Sequence, residues 1–299
     1  NIGVFSSSGT FTVPAGVTSI TVEAWGGGGK GGTRGTPDGA AGGGGGGAYA
    51  RSVLSVTPGQ VYDVFIGAGS TTTSAGGDSR FRLQPSGADL IRAVGGNSVA
   101  DNSTSGVLGG LASASLGDVT FNGGRGGNVT GGGNGGGGGS SGGTASAGNY
   151  TTSTNTSTGG SVAGGGSGGN GSTTDDVPGS PGISPGGAGG GARRNNGTVP
   201  GGAGADGQIT ISWVICTPPT NTTITPSPSP VCQNATLNLS VTAVGGSTYT
   251  WAGNGINNTN SNATTAVPTA TGSQTYTVTV TNSGGCSATG TVCCVNPSA

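Results

Sequence analysis

Histidine and methionine are absent from this 299-residue chain, and lysine occurs once, at Lys30. Without histidine there is no Ser-His-Asp triad, no imidazole general base and no His metal site. Charge is scarce as well. Nine Lys+Arg and ten Asp+Glu make up 6% of the residues and leave a formal net charge of -1. So few cations argue against nucleic acid, whose phosphates need Lys and Arg to displace counterions. Aromatics are 4%. No apolar run approaches the ~18 residues of a membrane-spanning helix, and no segment has the 3.6 period of an amphipathic helix. A first residue other than Met is what a processed mature chain presents once any signal peptide has been removed.

Glycine is what the chain has in excess, at 72 positions. Three lie in residues 1–25, nine in 207–299, and the remaining 60 in 26–206, one residue in three. The strict Gly-X-Y period of collagen is missing. The glycines form tracts instead, such as Gly26 to Gly29, Gly42 to Gly47, Gly135 to Gly139 and Gly189 to Gly191. Two readings compete. One is a flexible low-complexity linker. The other is a bundle of polyglycine helices of the polyproline-II type, with three residues per turn and no internal hydrogen bonds. In a bundle every N–H and C=O must find a partner on a neighbouring helix or in water. Ordering glycine costs about 1–2 kcal/mol per residue, so only a dense lattice of backbone hydrogen bonds, each ~0.5–1.5 kcal/mol net, offsets it.

Patterned strands on both sides favour the bundle. Thr10-Phe11-Thr12-Val13 and Ser19-Ile20-Thr21-Val22-Glu23-Ala24-Trp25 alternate with period two, separated by a Pro14-Ala15-Gly16 turn. Further strands are expected at 48–56, 61–66, 79–83, 90–94 and 207–213. The last is expected to return beside the first and close a β-sandwich. The fold class is therefore all-β, with essentially no α-helix. A glycine-rich β-sandwich domain spans 1–213, and a large polyglycine-II insertion of about residues 95–206 emerges from one end.

The run from Phe11 to Gly26, with Val13-Pro14-Ala15-Gly16 and Val22-Glu23-Ala24-Trp25-Gly26, is similar to the start of the glycine-rich domain of phage tail-fibre adhesins and bacterial surface proteins. Gly47-Ala48-Tyr49-Ala50-Arg51, Val56-Thr57-Pro58-Gly59-Gln60, Ile66-Gly67-Ala68-Gly69 and the closing Gly204 to Ile211 carry the same resemblance. It covers roughly residues 9–213. It implies polyglycine helix bundles and a role in adhesion or host recognition without catalysis.

Composition changes after Trp213. Residues 214–230 are Thr/Pro-rich and read as a stiff connector. Residues 231–299 show short alternating strands around Trp251, at 235–243, 248–251, 275–280 and 288–295, as in an immunoglobulin-like sandwich. Val231-Cys232, Tyr249-Thr250-Trp251, Tyr276 to Val280 and Gly285-Cys286-Ser287 resemble the Ig-like or PKD-like repeats of large secreted Bacteroidetes proteins. That resemblance implies a Cys232–Cys286 pair. Cys216, Cys293 and Cys294 remain, with room for one further pair and one odd thiol. A Cys₄ zinc site is the rival reading, but no C-x-x-C is present. The cysteines imply an oxidising, extracellular location.

A search for chemistry returns little. Asp175-Asp176 is the only adjacent acid pair and reads as a solvated turn rather than a hydrolase dyad. Asp38, Asp78 and Asp206 sit beside glycines as turn caps. G-x-G-x-x-G strings arise from composition and open no helix. Arg193-Arg194 reads as a solvated basic spot, and Lys30 as a surface lysine. No catalytic, cofactor or metal residues are assigned. The expected function is a non-enzymatic, secreted structural or adhesive subunit of a bacterial surface filament. The alternatives are a phage receptor-binding tip, or a carbohydrate-binding or spacer module of a larger secreted protein. Expected partners are copies of the chain or a cell-surface glycan, with no nucleic acid and no membrane insertion. Residues Asn1 to Val13 are expected to be able to add as a strand to an adjacent subunit, and Phe11, Val13, Ile20 and Val22 are the assembly-strand candidates.

Overall fold

A computed structural model describes all residues except 86, 131, 150–154, 216, 258–259, 271, 284 and 296–299, and the side chains of 294 and 295. The chain divides into two compact units, Asn1–Val214 and Ile215–Ala299. Both are β-structures. Among the described residues the helical content is a single 3-10 turn at Ala112–Ala114.

The first unit contains β1 (Ile2–Phe5), β2 (Gly9–Thr12), β3 (Ser19–Trp25), β4 (Gly39–Ala40), β5 (Tyr49–Ser55) and β6 (Val61–Phe65). It continues with β7 (Ser79–Leu83), β8 (Asp89–Ala93), β9 (Val119–Phe121), β10 (Arg193–Arg194) and β11 (Gln208–Trp213). One sheet has the order β1-β11-β3-β5-β9, and the other the order β2-β6-β7-β8. The returning strand β11 pairs antiparallel with β1 on one side and β3 on the other. The period-two pattern sets which side chains meet. Ile20, Val22 and Ala24 of β3, with Ile209 and Ile211 of β11, are buried against Phe81 and Ile91. The Tyr62 and Phe81 rings stack at 4.7 Å. Each fully buried aliphatic side chain contributes about 1.5–3 kcal/mol.

Two turns explain why the strands end where they do. Gln60 N–H donates to Thr57 O across Pro58-Gly59, and Val17 N–H to Pro14 O across Ala15-Gly16. Gly59 (φ 83°) and Gly16 (φ 77°) occupy the third turn position in the left-handed region, which Cβ-bearing residues avoid.

The four apolar assembly candidates fill this chain's own core. Phe11, Val13, Ile20 and Val22 are at most 6% exposed. Their strands pair within the chain, because alternation directs those side chains into the sandwich. They are not available as an exposed apolar edge.

The second unit has β12 (Thr225–Ser227), β13 (Leu237–Ser240), β14 (Thr248–Ala252), β15 (Ile256–Asn257), β16 (Ala263–Ala266), β17 (Gln274–Thr281) and β18 (Ser287–Val295). They form sheets of order β12-β13-β16-β15 and β14-β17-β18. Trp251 lies in the core with Leu237, Leu239, Tyr276, Val278 and Val280, and its indole N–H donates to Ser261 O at 2.9 Å. Residues 225–227 belong to this module and not to a free connector, since they pair with β13. Pro226 is tolerated there because β12 is an edge strand.

The Cys232–Cys286 pair is not formed. Cys232 is an exposed free thiol, whereas Cys286 is buried and disulfide-bonded. Val231, only 3% exposed, takes the inward position, which turns its neighbour Cys232 outward. Cys293 is exposed. Cys216 and the Cys294 side chain lie outside the described residues.

Candidate functional site: a polyglycine lattice

The glycine tracts between the strands are neither helix nor sheet, yet their backbones are paired residue by residue. The tract 42–48 shows the pattern best. Gly45 and Ala48 N–H donate to Asn97 O and Val94 O on one neighbouring tract, and Gly42 N–H to Ser103 O just beyond the turn that ends it. Gly43 and Gly46 donate to Gly127 O and Gly124 O on a second, at 3.0 and 2.9 Å. Gly44 and Gly47 donate to Gly189 O and Gly186 O on a third. The donors repeat every three residues, the period of a polyproline-II-type helix.

The carbonyls follow the same rule with three other neighbours. Gly42, Gly45 and Ala48 O accept from Gly32, Gly29 and Gly26 N–H. Gly43 and Gly46 O accept from Val107 and Gly110, while Gly44 and Gly47 O accept from Gly139 and Gly142. Tract 42–48 therefore has six neighbours, three reached through N–H and three through C=O. Tract 135–142 repeats the pattern. Gly136, Gly139 and Gly142 donate to Ala41, Gly44 and Gly47, and Gly135, Gly138 and Ser141 to Ser172, Gly169 and Gly166.

The enclosed tracts are not confined to the expected 95–206 insertion: 42–48 comes from the β3–β5 connection, while 187–192, inside that insertion, is enclosed by six neighbours in the same way. Glycine is required where helices approach this closely. A Cβ on Gly45 would sit 2.0 Å from Leu108 O, and one on Gly46 only 1.9 Å from Ser140 O.

Side chains tie the lattice to the sandwich and close its ends. Trp25 Nε1 donates to Gly142 O at 3.0 Å, and Tyr49 lies between Trp25 and Phe121 in a ring cluster. Lys30 is buried rather than exposed, because its tract runs inside the lattice. Its Nζ donates to Thr33 Oγ1 and Gly31 O, with Asp101 at 3.9 Å. Desolvation pushes the Lys30 pKa down, against the raising effect of Asp101. Arg34, also buried, donates to the carbonyls of Asn102, Pro37 and Asp38.

The arginine pair expected to be solvated is engaged in ion pairs. Arg193 meets Asp175 at 2.7 Å and also donates to Asn134 Oδ1 and Thr173 O. Arg194 pairs with Asp38. The neighbouring Asp176 carboxylate accepts from Asn195 and Asn196 N–H, which holds its pKa below the ordinary range. Asp78 accepts from Gly95 N–H and Asp206 from Gly69 N–H, bonds between distant tracts where the sequence suggested local turn caps, and Asp38 pairs with Arg194. Among the described residues no group of three or more His, Cys, Asp or Glu converges as a metal site.

A pH effect follows from the ring cluster. Tyr49 O–H donates to Glu23 Oε1 at 2.6 Å, and burial, then this bond, raise its pKa far above the usual 10.0. Burial raises Tyr62 and Tyr276 as well. A raised folded-state pKa stabilises fully below the unfolded value and is lost as pH climbs above it. In the first unit Lys30 acts in the opposite sense but is one group against two, and Tyr276 acts on the second unit. Thermal denaturation should show a first-unit melting temperature steady from about pH 7 to pH 9 that falls above about pH 10. A Tyr49→Phe variant should fall less steeply. A variant falling as steeply as the parent would remove Tyr49 as the cause.

A family model described as a glycine-rich domain matches residues 5–214. The chain belongs to this glycine-rich domain family. The match covers the lattice and the sandwich from the end of β1 onward, and stops before the second unit. No curated protein matches the chain. Among the described residues no helix is long and apolar enough to cross a membrane.

Proposed function

We propose that this protein is an extracellular, non-catalytic structural or adhesive subunit of a bacterial surface filament or fibre. The observation that carries the reading is the six-neighbour packing of tract 42–48. A block held by main-chain hydrogen bonds gives a rigid body whose cohesion does not depend on side chains, which leaves its surface free for packing or contact. The 6% charge content suits close lateral packing of copies. In the second unit, sheets of four and three strands around Trp251 support the reading as an Ig-like module of the kind found in secreted repeat proteins. The absence of histidine supports the non-enzymatic reading.

Imaging of native cell-surface material with an antibody to this chain tests the proposal. Regular fibres bearing the antibody are expected. Isolated monomers without fibres would overturn it. Retention on a glycan array by such monomers would instead favour a carbohydrate-binding module.

A further inference from the structure

The first four-residue strand, β1, forms one edge of the five-stranded sheet, and among the described residues β11 is its only strand neighbour. Which of its backbone groups are free follows from the register. Asn1 and Trp213 exchange hydrogen bonds in both directions, at 2.8 and 3.0 Å. Antiparallel pairs alternate between bonded and non-bonded, and the β1–β11 register has no shift. Asn1, Gly3 and Phe5 therefore turn their N–H and C=O groups toward β11. Ile2 and Val4 turn theirs toward the open edge.

The usual protections of an edge strand are missing here. β1 has no charged residue, no proline and no bulge. Its two outward side chains, Ile2 and Val4, are 70% and 60% exposed. Both are β-branched, which suits cross-strand pairing. The opposite edge of the same sheet, β9, is only three residues long; of the other sheet's two edges, β2 exposes Thr10 and Thr12, and β8 is bridged through Arg92 to Leu116.

We propose that β1 pairs antiparallel with β1 of a second copy about a two-fold axis at Gly3, which joins the two five-stranded sheets into one. Ile2 of each copy then faces Val4 of the other as a hydrogen-bonded pair. Four N–H···O bonds form, and all four open backbone groups of each edge are used. Gly3 meets its own equivalent in the close, non-bonded pair. It carries no side chain there, and the Phe5 and Trp213 rings fill the space on its inner side. On the outer face, two Ile2 and two Val4 side chains cover one another. The edge is complementary to itself, and this selects a second copy as the occupant.

The inference rests on reading the chain as an assembling subunit and names one of its contacts. A two-fold contact closes on itself, so a fibre needs one further contact elsewhere on the protein.

The test is sedimentation equilibrium of the full chain beside Val4→Pro and Val4→Lys variants. Val4→Pro removes a donor that faces the open edge and none that faces β11, so the fold is retained. Each copy loses the bond its Val4 donates, so two of the four bonds are lost and the dissociation constant should rise by about 30-fold. Val4→Lys keeps the backbone donor but places the two cations as diagonal neighbours on one face, each opposite an Ile2, and should weaken pairing at low salt. The melting temperature of each variant reports folding; if Val4→Pro melts early, Val4→Lys decides. A parent chain that stays monomeric, or a dimer that neither variant weakens, overturns the proposal. Native fibres together with a variant-insensitive dimer would overturn this contact and leave the fibre reading standing. A variant-sensitive dimer from material without fibres would do the reverse.

Discussion

Gly46→Ala should lower the melting temperature of the first unit by about 10 °C or more, whereas Gly132→Ala should leave it nearly unchanged. A methyl on Gly46 would lie 1.9 Å from Ser140 O and 2.3 Å from Ser140 C. Both atoms are backbone, so no side chain can swing aside and a whole helix must move. Overpacking of this kind costs about 1–3 kcal/mol and sometimes more. Here the displaced helix also loses alignment with its own neighbours, which places the cost at the upper end. At about 2–4 °C per kcal/mol for a unit of this size, the stated shift follows. Gly132 has nothing within 4 Å of its added Cβ, so its substitution changes only the entropy of the unfolded chain. Scanning calorimetry measures both. Equal, small shifts would mean that the tracts are loosely associated. Amide exchange gives an independent reading: Gly43 to Gly47 should exchange as slowly as the strands of the sandwich.

Trp251→Ala should unfold the second unit or lower its transition by about 20 °C, with the first unit's transition unmoved. Trp251 is 2% exposed and is the largest side chain in its core. Replacing a buried Trp with Ala costs about 3–5 kcal/mol. The variant also leaves Ser261 O without the indole donor at 2.9 Å. A unit this small shifts by about 4–8 °C per kcal/mol. Two transitions by calorimetry, only one of them displaced, are the expected result. A shift in both would show that the units do not melt independently.

The sandwich strands could be read from the sequence because alternation is a local signal. Ser19–Trp25 and Ser79–Leu83 match the observed strands residue for residue. That β1 pairs with β11 of its own chain was not legible, since Ile2 to Phe5 offers only four residues, one of them glycine. β12 was hidden by its prolines, which read as a connector until β13 is seen beside it. The burial of Lys30 and Arg34 was equally hidden, because a cation inside a glycine tract carries no periodic mark.

Composition and alternation by themselves determined that this is an all-β chain with a glycine-rich block, an apolar sandwich and a separate module around Trp251. They also showed that histidine-dependent chemistry is excluded. Only the tertiary structure decided which tracts are enclosed, which neighbours surround each of them, which edge remains open and that Cys232 stays unpaired. The physical reason is that glycine has no side chain to announce a neighbour. Every tract carries the same N–H and C=O groups, so pairing among them is settled by where the folded strands deliver each tract in space.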